Sequence, residues 1–170
     1  LPNVIPDGKS IWTYKEAMVP TTLPKSILVI GSGAIGIEFA SFYNDLGVDI
    51  TVVEVLDRIL PAEDIDISNF ALKSFEKQGI KIKTSSMVKS LKSLKGKISV
   101  KIETASGSEE VTVEKVILAV GIIGNTENLR LENTLAKVSN GQLVVDKWGA
   151  TNEPGLYGCL LYTSPSPRDL

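Results

Sequence analysis

Three glycines near the start of the chain, Gly31, Gly33 and Gly36, have the spacing G-x-G-x-x-G. In a turn that binds a pyrophosphate, the first glycine permits the tight turn and the second lets the ligand approach bare backbone. The third lets the following helix pack closely on a strand. Free amides and the positive end of that helix attract phosphate without a basic side chain. The spacing predicts a dinucleotide-binding turn, and the alternative for the bare pattern is a glycine turn without a ligand.

An acidic residue, Glu54, follows the glycine turn by about twenty residues and ends an apolar run. A carboxylate at this position accepts hydrogen bonds from the adenosine ribose hydroxyls and repels a 2′-phosphate, which predicts NAD rather than NADP. Arg58 lies near enough to meet such a phosphate, so NADP stays an alternative. Asp57 beside it favours a solvated surface charge.

The elements that must position these residues form a strand-helix-strand unit. Residues 27–30 are too few and too β-branched for a helix and predict a buried parallel strand, and residues 50–53 predict a second strand. Between them a helix begins at Ala34 and ends before Gly47, a suitable C-terminal cap. Its apolar positions recur at helical spacing and predict the buried face: Ile35, Phe39, Tyr43 and Leu46.

A second helix and an antiparallel meander are predicted to follow. Asp64 and Asp66 at the start and Gly79 at the end predict the helix, with an apolar face of Ile67, Phe70, Ala71 and Phe75. The acidic residues at the start of this helix, including Glu63, are interpreted as stabilising the helix dipole rather than as metal ligands, so no metal site is predicted. A brief strand is predicted over residues 80–83, and the meander comprises residues 87–94, 97–104 and 111–113, with a turn over 105–110. Its second segment alternates between core positions (Ile98, Val100 and Ile102) and water-facing positions (Lys97, Ser99, Lys101 and Glu103).

A last core strand is predicted over residues 116–120, and Gly121 follows it at the carboxyl end of the sheet, where ligands of open α/β sheets bind. Beyond it the pattern weakens into polar turns, a short strand over residues 142–145 and a last apolar fragment over residues 155–158.

Composition limits the classes of function. The chain has 170 residues, 43% of them hydrophobic, and a formal net charge of −2, which allows one good core and excludes a basic surface for nucleic acid. One cysteine and no histidine exclude intrachain disulfides, Cys/His zinc sites and histidine bases. No membrane-spanning stretch and no signal peptide are found in the sequence, so we expect an intracellular protein without a membrane partner.

Three ordered motifs carry a family resemblance: VIGSGAIGIEFASFYNDLGVDITVVE, ILAVGIIGNTENL and TNEPGLYG. Together they resemble the two-dinucleotide-binding flavoprotein disulfide reductases, and within them the branch that oxidises dihydrolipoamide. Many relatives have Arg and Pro after the equivalent of Gly121, whereas this chain has Ile122, Ile123 and Gly124. The resemblance implies an α/β, Rossmann-like NAD-binding domain with a parallel sheet and an antiparallel meander, inserted in a larger FAD-domain protein.

The resemblance also implies the site. Glu54 would bind the adenosine ribose, Val88 would lie on the adenine side and Gly121 on the nicotinamide side. The pyrophosphate and nicotinamide would be lined by Gly31, Ser32, Gly33, Ala34, Ile35, Gly36, Ile37 and Glu38. Glu38 has a plain alternative as a helix-surface acid. No catalytic residue is assigned, because the redox cysteine pair and the catalytic histidine of such enzymes would lie outside this chain.

The whole enzyme implied by the resemblance would pass electrons from dihydrolipoamide, through a redox disulfide and FAD, to NAD. Its partners would be the lipoyl domains of 2-oxo acid dehydrogenase complexes and a second copy of itself, in the bacterial cytoplasm or the mitochondrial matrix. The alternatives are another NAD(P)H-dependent flavoprotein disulfide, peroxide or mercuric reductase, a non-catalytic NAD-binding sensor, and a methyltransferase. A sensor would need an effector region such as a basic helix-turn-helix, which this acidic chain lacks.

The resemblance divides the chain into four segments. Residues 1–24 would connect from an FAD domain, 25–124 would form the NAD-binding domain, and 125–158 would return toward the FAD domain. The last segment, CLLYTSPSPRDL over residues 159–170, fits no family pattern. It back-translates as a transposase adapter used in sequencing libraries and is expected to be non-native. A Ser/Pro-rich flexible terminus and a reactive Cys159 are the alternatives.

Overall fold

The computed structural model describes residues 4–121 and 124–158, and the chain divides into two units, Leu1–Gly121 and Ile122–Leu170. The elements of the first unit are β1 (Ile11–Trp12), α1 (Tyr14–Met18), β2 (Ser26–Ile30), α2 (Ala34–Asp45), β3 (Asp49–Val53), α3 (Ile65–Lys77), β4 (Lys81–Lys83), β5 (Met87–Leu94), β6 (Lys97–Thr104), β7 (Gly107–Val113) and β8 (Lys115–Leu118). The predicted α/β class, with a parallel sheet and an antiparallel meander, is confirmed.

The main sheet has five parallel strands in the order β1-β8-β2-β3-β4. Its central strands consist largely of apolar residues because both faces are covered. Residues 27 and 29 of β2 face a core shared with α2, whereas residues 28 and 30 face a second core shared with the meander. The unit therefore has three layers, with helices on one face of the sheet and the meander on the other.

Helix α2 ends as predicted, at a glycine in the left-handed region. Gly47 has a φ of +83°. Its amide donates to Asn44 O at 2.9 Å, and the amide of Val48 donates to Tyr43 O at 3.0 Å, the bond pair of a Schellman cap. This cap turns the chain directly into β3.

The predicted buried face of α2 is partly wrong. Ile35 and Leu46 are 37% and 49% exposed. The buried positions are instead Gly36, Ile37, Ala40 and Tyr43. Two of these are small residues that let the helix approach the sheet closely, and a hydrophobic pattern gives such residues little weight.

The predicted buried face of α3 is also partly wrong, because Ile67 and Phe70 are 55% and 74% exposed. A polar residue is buried instead: Ser68 is 1% exposed and donates to Ile59 O at 2.5 Å. The predicted acidic start is confirmed, since Asp64 caps the helix and accepts from the amide of Asp66 at 2.8 Å. A serine that replaces an apolar anchor cannot be recognised from hydrophobic spacing.

Strands β5, β6 and β7 form the antiparallel meander in that order. Ile98, Val100 and Ile102 are buried as predicted. Ser99 is buried as well, at 5% exposure, and its hydroxyl donates to Glu110, so its predicted place in water is wrong. The predicted turn over 105–110 is too long, because β7 begins at Gly107 and its polar residues pair along β6.

Residues 11–18, part of the predicted connector, belong to the first unit. β1 pairs with β8 at the edge of the parallel sheet. Trp12 and Ala17 are buried, and the hydroxyl of Tyr43 donates to Ala17 O at 2.7 Å. Thr13 and Glu16 form a capping box at the start of α1. The predicted connector thus supplies an edge strand and a packed helix, while the division into four segments stays a prediction.

The second unit has a 3-10 turn at Leu131–Asn133 and a two-stranded antiparallel sheet of β9 (Val138–Ser139) and β10 (Gln142–Leu143). A single bridge links Ala150 to Tyr157. The strand predicted over 142–145 is therefore shorter than expected, and the predicted non-native tail lies outside the described residues. Among the described residues, no helix has both the length and the apolar character needed to cross a bilayer.

Candidate functional site

Two of the three glycines in the turn after β2 are required by the protein's own packing. Gly31 has a φ of +100°, and a Cβ atom there would lie 2.4 Å from Ala119 O. A Cβ atom at Gly36 would lie 2.1 Å from Gly31 O. Both contacts are with backbone atoms, so a side chain at either position would displace the turn or the helix. These two glycines need no ligand to explain them.

The middle glycine is different. Gly33 has an ordinary backbone conformation, with φ −65° and ψ 179°. Apart from its chain neighbours, no atom of the described residues lies within 4 Å of the position that its Cβ atom would occupy. Neither backbone strain nor packing therefore requires a glycine here. The open space in front of Gly33 is where the sequence predicts the pyrophosphate.

The same space adjoins the first turn of α2. Gly33 is the N-cap of this helix and makes no side-chain capping bond. Within the described part of the chain, the amides of Ala34, Ile35 and Gly36 donate no hydrogen bond. Ala34 and Ile35 are exposed. Unpaired amides at a helix N-terminus are donors suited to a phosphate oxygen.

Glu54 lies immediately after β3 and is buried, with 6% of its surface exposed. Its Oε2 atom accepts hydrogen bonds from the amide of Ser32 at 2.8 Å and the hydroxyl of Ser32 at 2.7 Å. Its Oε1 atom accepts from the amide of Leu56 at 2.9 Å. The carboxylate is therefore held beside the glycine turn by three donors, and among the described residues one of its roughly four acceptor positions has no donor.

Ser32 joins the parts of this site. It is fully buried. Besides its two bonds to Glu54, its carbonyl oxygen accepts from the amide of Leu60 at 2.8 Å. Ser32 thus links the glycine turn to the acid and to the segment after β3. Sequence reasoning placed Ser32 among the ligand-lining residues and missed this role, because a serine between two glycines has no periodic signal.

Other predicted residues lie around the turn in different settings. Gly121 follows β8 with a φ of +142°, and apart from its chain neighbours a Cβ atom there would meet no atom of the described residues within 4 Å. Glu38 is exposed on α2. Ile37 is 5% exposed and its amide donates to Gly33 O at 3.0 Å, so the structure does not bring it to the open side of the turn. Val88 is 5% exposed within the second core, which leaves any contact with adenine to its main chain.

Arg58, the residue that kept NADP open as an alternative, is engaged elsewhere. Its guanidinium donates to Pro61 O at 2.9 Å. Among residues 4–121 and 124–158, no group of three or more His, Cys, Asp or Glu side chains is arranged to hold a metal.

Comparison with known proteins gives consistent results. A family model described as pyridine nucleotide-disulphide oxidoreductase matches residues 3–159. The chain is 51% identical to a dihydrolipoyl dehydrogenase of Rhizobium etli over 158 residues, which is 92% of this chain and 33% of that protein. It is 45% identical to a dihydrolipoyl dehydrogenase of Zymomonas mobilis over 155 residues, 89% of this chain and 33% of that protein.

Among solved structures, the crystal structure of LpdA from Mycobacterium tuberculosis matches with a TM-score of 0.78 and 30% identity. The match covers 92% of this chain and 34% of that one. The chain therefore spans about a third of the length of the relatives it matches.

Proposed function

Because the chain belongs to the pyridine nucleotide-disulphide oxidoreductase family, we propose that it is the NAD-binding portion of a dihydrolipoyl dehydrogenase. The relatives with this name share up to 51% of residues across nearly the whole chain. In the complete protein, dihydrolipoamide would be oxidised through a redox disulfide and FAD, and NAD would receive the electrons. The chain's own residues would bind and orient NAD.

The open space at Gly33 is the observation that carries this proposal. The first glycine and the third are explained by contacts within the protein, whereas no contact within the described part of the chain requires the second, and a bound pyrophosphate would account for it. The oxygen atoms of a pyrophosphate there would accept hydrogen bonds from the amides of Ala34 and Ile35, which have no partner within the described part of the chain. Its negative charge would be favoured by the positive end of α2 without a basic side chain.

Glu54 is proposed to recognise the adenosine ribose and to favour NAD over NADP. The carboxylate is buried and has an acceptor position left for a ribose hydroxyl. A 2′-phosphate would meet the negative charge of this carboxylate at short range. Arg58, which could have offset that repulsion, is bonded to Pro61 O.

The proposed partners follow from the same relatives. The complete protein would act on dihydrolipoamide carried by lipoyl domains of 2-oxo acid dehydrogenase complexes, as a homodimer, in the cytoplasm of a bacterium. The sequence identity to two bacterial dihydrolipoyl dehydrogenases supports this assignment.

Replacing Glu54 by alanine is expected to weaken NAD binding about tenfold or more and to narrow the preference for NAD over NADP. A lost hydrogen bond to a charged group accounts for a change of this size, and the repulsion of the 2′-phosphate disappears with it. Calorimetric titration of both nucleotides would measure the affinities. Glu54→Gln is the comparison variant, because it removes the charge and keeps one acceptor oxygen, while its amide nitrogen replaces the other oxygen. An unchanged affinity ratio in both variants would remove Glu54 from the site.

The 170-residue chain is expected to bind no FAD and to show no dihydrolipoamide-dependent reduction of NAD. Attack by a dithiol needs a cysteine pair and a base, and the chain has one cysteine and no histidine. The absorbance spectrum of the purified chain and a spectrophotometric assay of NADH formation would test this. A yellow protein with measurable lipoamide activity would contradict it.

A further inference from the structure

The hydrogen bonds around Glu54 indicate a role for Ser32 that is distinct from lining the ligand. Ser32 is fully buried, so its side chain offers no surface to a bound molecule. Its hydroxyl donates to Glu54 Oε2 at 2.7 Å, and its amide donates to the same atom at 2.8 Å. One residue therefore supplies both donors to one carboxylate oxygen.

We propose that Ser32 is a positioning residue that determines dinucleotide specificity by fixing the carboxylate of Glu54 against the glycine turn. This inference rests on the proposed function. With Oε2 held by Ser32 and Oε1 held by the amide of Leu56, the carboxylate has a single orientation. A remaining acceptor position would then be available to a ribose hydroxyl without reorganisation of the carboxylate when NAD binds.

The fixed orientation of the Glu54 carboxylate also accounts for selectivity between NAD and NADP. NAD and NADP share the pyrophosphate, the adenine and the nicotinamide, and they differ only at the 2′ position of the adenosine ribose. A carboxylate with a fixed orientation cannot turn away from a 2′-phosphate. Without the serine hydroxyl, Oε2 keeps only the backbone donor, and the carboxylate is free to move away from the added phosphate.

The affinity ratio separates this role from a structural one. If the substitution only loosens the glycine turn, the affinities for NAD and NADP fall by the same factor, because both nucleotides bind the turn through the same pyrophosphate. If the carboxylate is misplaced, the affinity for NAD falls, and the repulsion between the carboxylate and the 2′-phosphate of NADP becomes weaker. Only the positioning role therefore changes the ratio of the two affinities.

The experiment titrates NAD and NADP into the 170-residue chain and its Ser32→Ala variant. We expect the NAD:NADP affinity ratio to fall about three- to tenfold in Ser32→Ala, less than in Glu54→Ala, because the carboxylate is displaced rather than removed. Ser32→Gly, which also lacks the hydroxyl, should give the same ratio. In a Glu54→Gln background, Ser32→Ala should leave the ratio unchanged, because the charge it positions is already absent.

Ser68→Ala is the matched control. Ser68 is also a buried serine, and its hydroxyl supports the segment after β3 through Ile59 O, but it makes no bond to Glu54. Loss of the Ser68 hydroxyl should lower the melting temperature and leave the NAD:NADP affinity ratio unchanged. A wild-type ratio in Ser32→Ala, alongside clear NAD binding by the unmodified chain, would overturn the role of Ser32 alone. Absence of NAD binding by the unmodified chain would overturn the proposed function, and this inference with it.

Discussion

Replacing Gly33 by valine is expected to abolish measurable NAD binding while the chain stays folded. The new side chain would enter a space in which, apart from the chain neighbours, no atom of the described residues lies within 4 Å of the Cβ position. The backbone conformation at Gly33 is open to any residue, so the cost to the fold is limited to about 1 kcal/mol for a branched residue at an N-cap. Circular dichroism and a calorimetric titration with NAD would measure the two effects.

Gly36→Ala is the contrasting variant. Its single added methyl group would lie 2.1 Å from Gly31 O, so the helix or the turn must shift, and overpacking of this kind costs about 1–3 kcal/mol of stability. A larger fall in melting temperature is therefore expected for Gly36→Ala than for Gly33→Val. Wild-type NAD affinity in Gly33→Val would mean that the turn is structural throughout and that the proposed function is wrong.

Replacing Trp12 by alanine is expected to destabilise the first unit by about 3–5 kcal/mol, the usual cost of truncating a large buried aromatic residue. Trp12 is 5% exposed, and its ring lies 6.5 Å from that of Tyr43, centroid to centroid. Its indole nitrogen donates to Lys9 O at 3.0 Å. Urea denaturation followed by circular dichroism would measure the free energy of unfolding.

Trp148 provides an internal control, since it is the only other tryptophan in the chain and is 73% exposed. Trp148→Ala should change stability by no more than about 0.5 kcal/mol, as is usual for surface substitutions. Equal and small losses for both variants would show that residues 11–18 are a detachable connector rather than a part of the sheet.

The sequence was sufficient to predict the features that depend on neighbouring residues. The strand before Gly31 and the end of α2 at Gly47 follow from β-branched runs and from glycine as a C-terminal cap. The alternation through Ile98, Val100 and Ile102 correctly predicted a buried strand face. In each case the signal is repeated over several adjacent positions.

Features that depend on distant contacts could not be predicted in this way. Ser32 and Glu54 are bonded across 22 positions of sequence, and neither residue type indicates the other. Phe70 has the hydrophobicity of a core residue and lies 74% exposed, whereas Ser68 is buried because Ile59 offers it an acceptor. At Ser68, an available acceptor rather than hydrophobicity accounts for burial.

The order of strands in the parallel sheet has a consequence for how the chain folds as it is synthesised. β8 lies between β1 and β2, so Trp12 has no neighbouring strand until Ile117 has been made. Pairings between residues so far apart close large loops and form slowly. A nascent chain that ends before Lys115 would leave the edges of both β1 and β2 unpaired and their apolar residues exposed, which is a condition that favours aggregation.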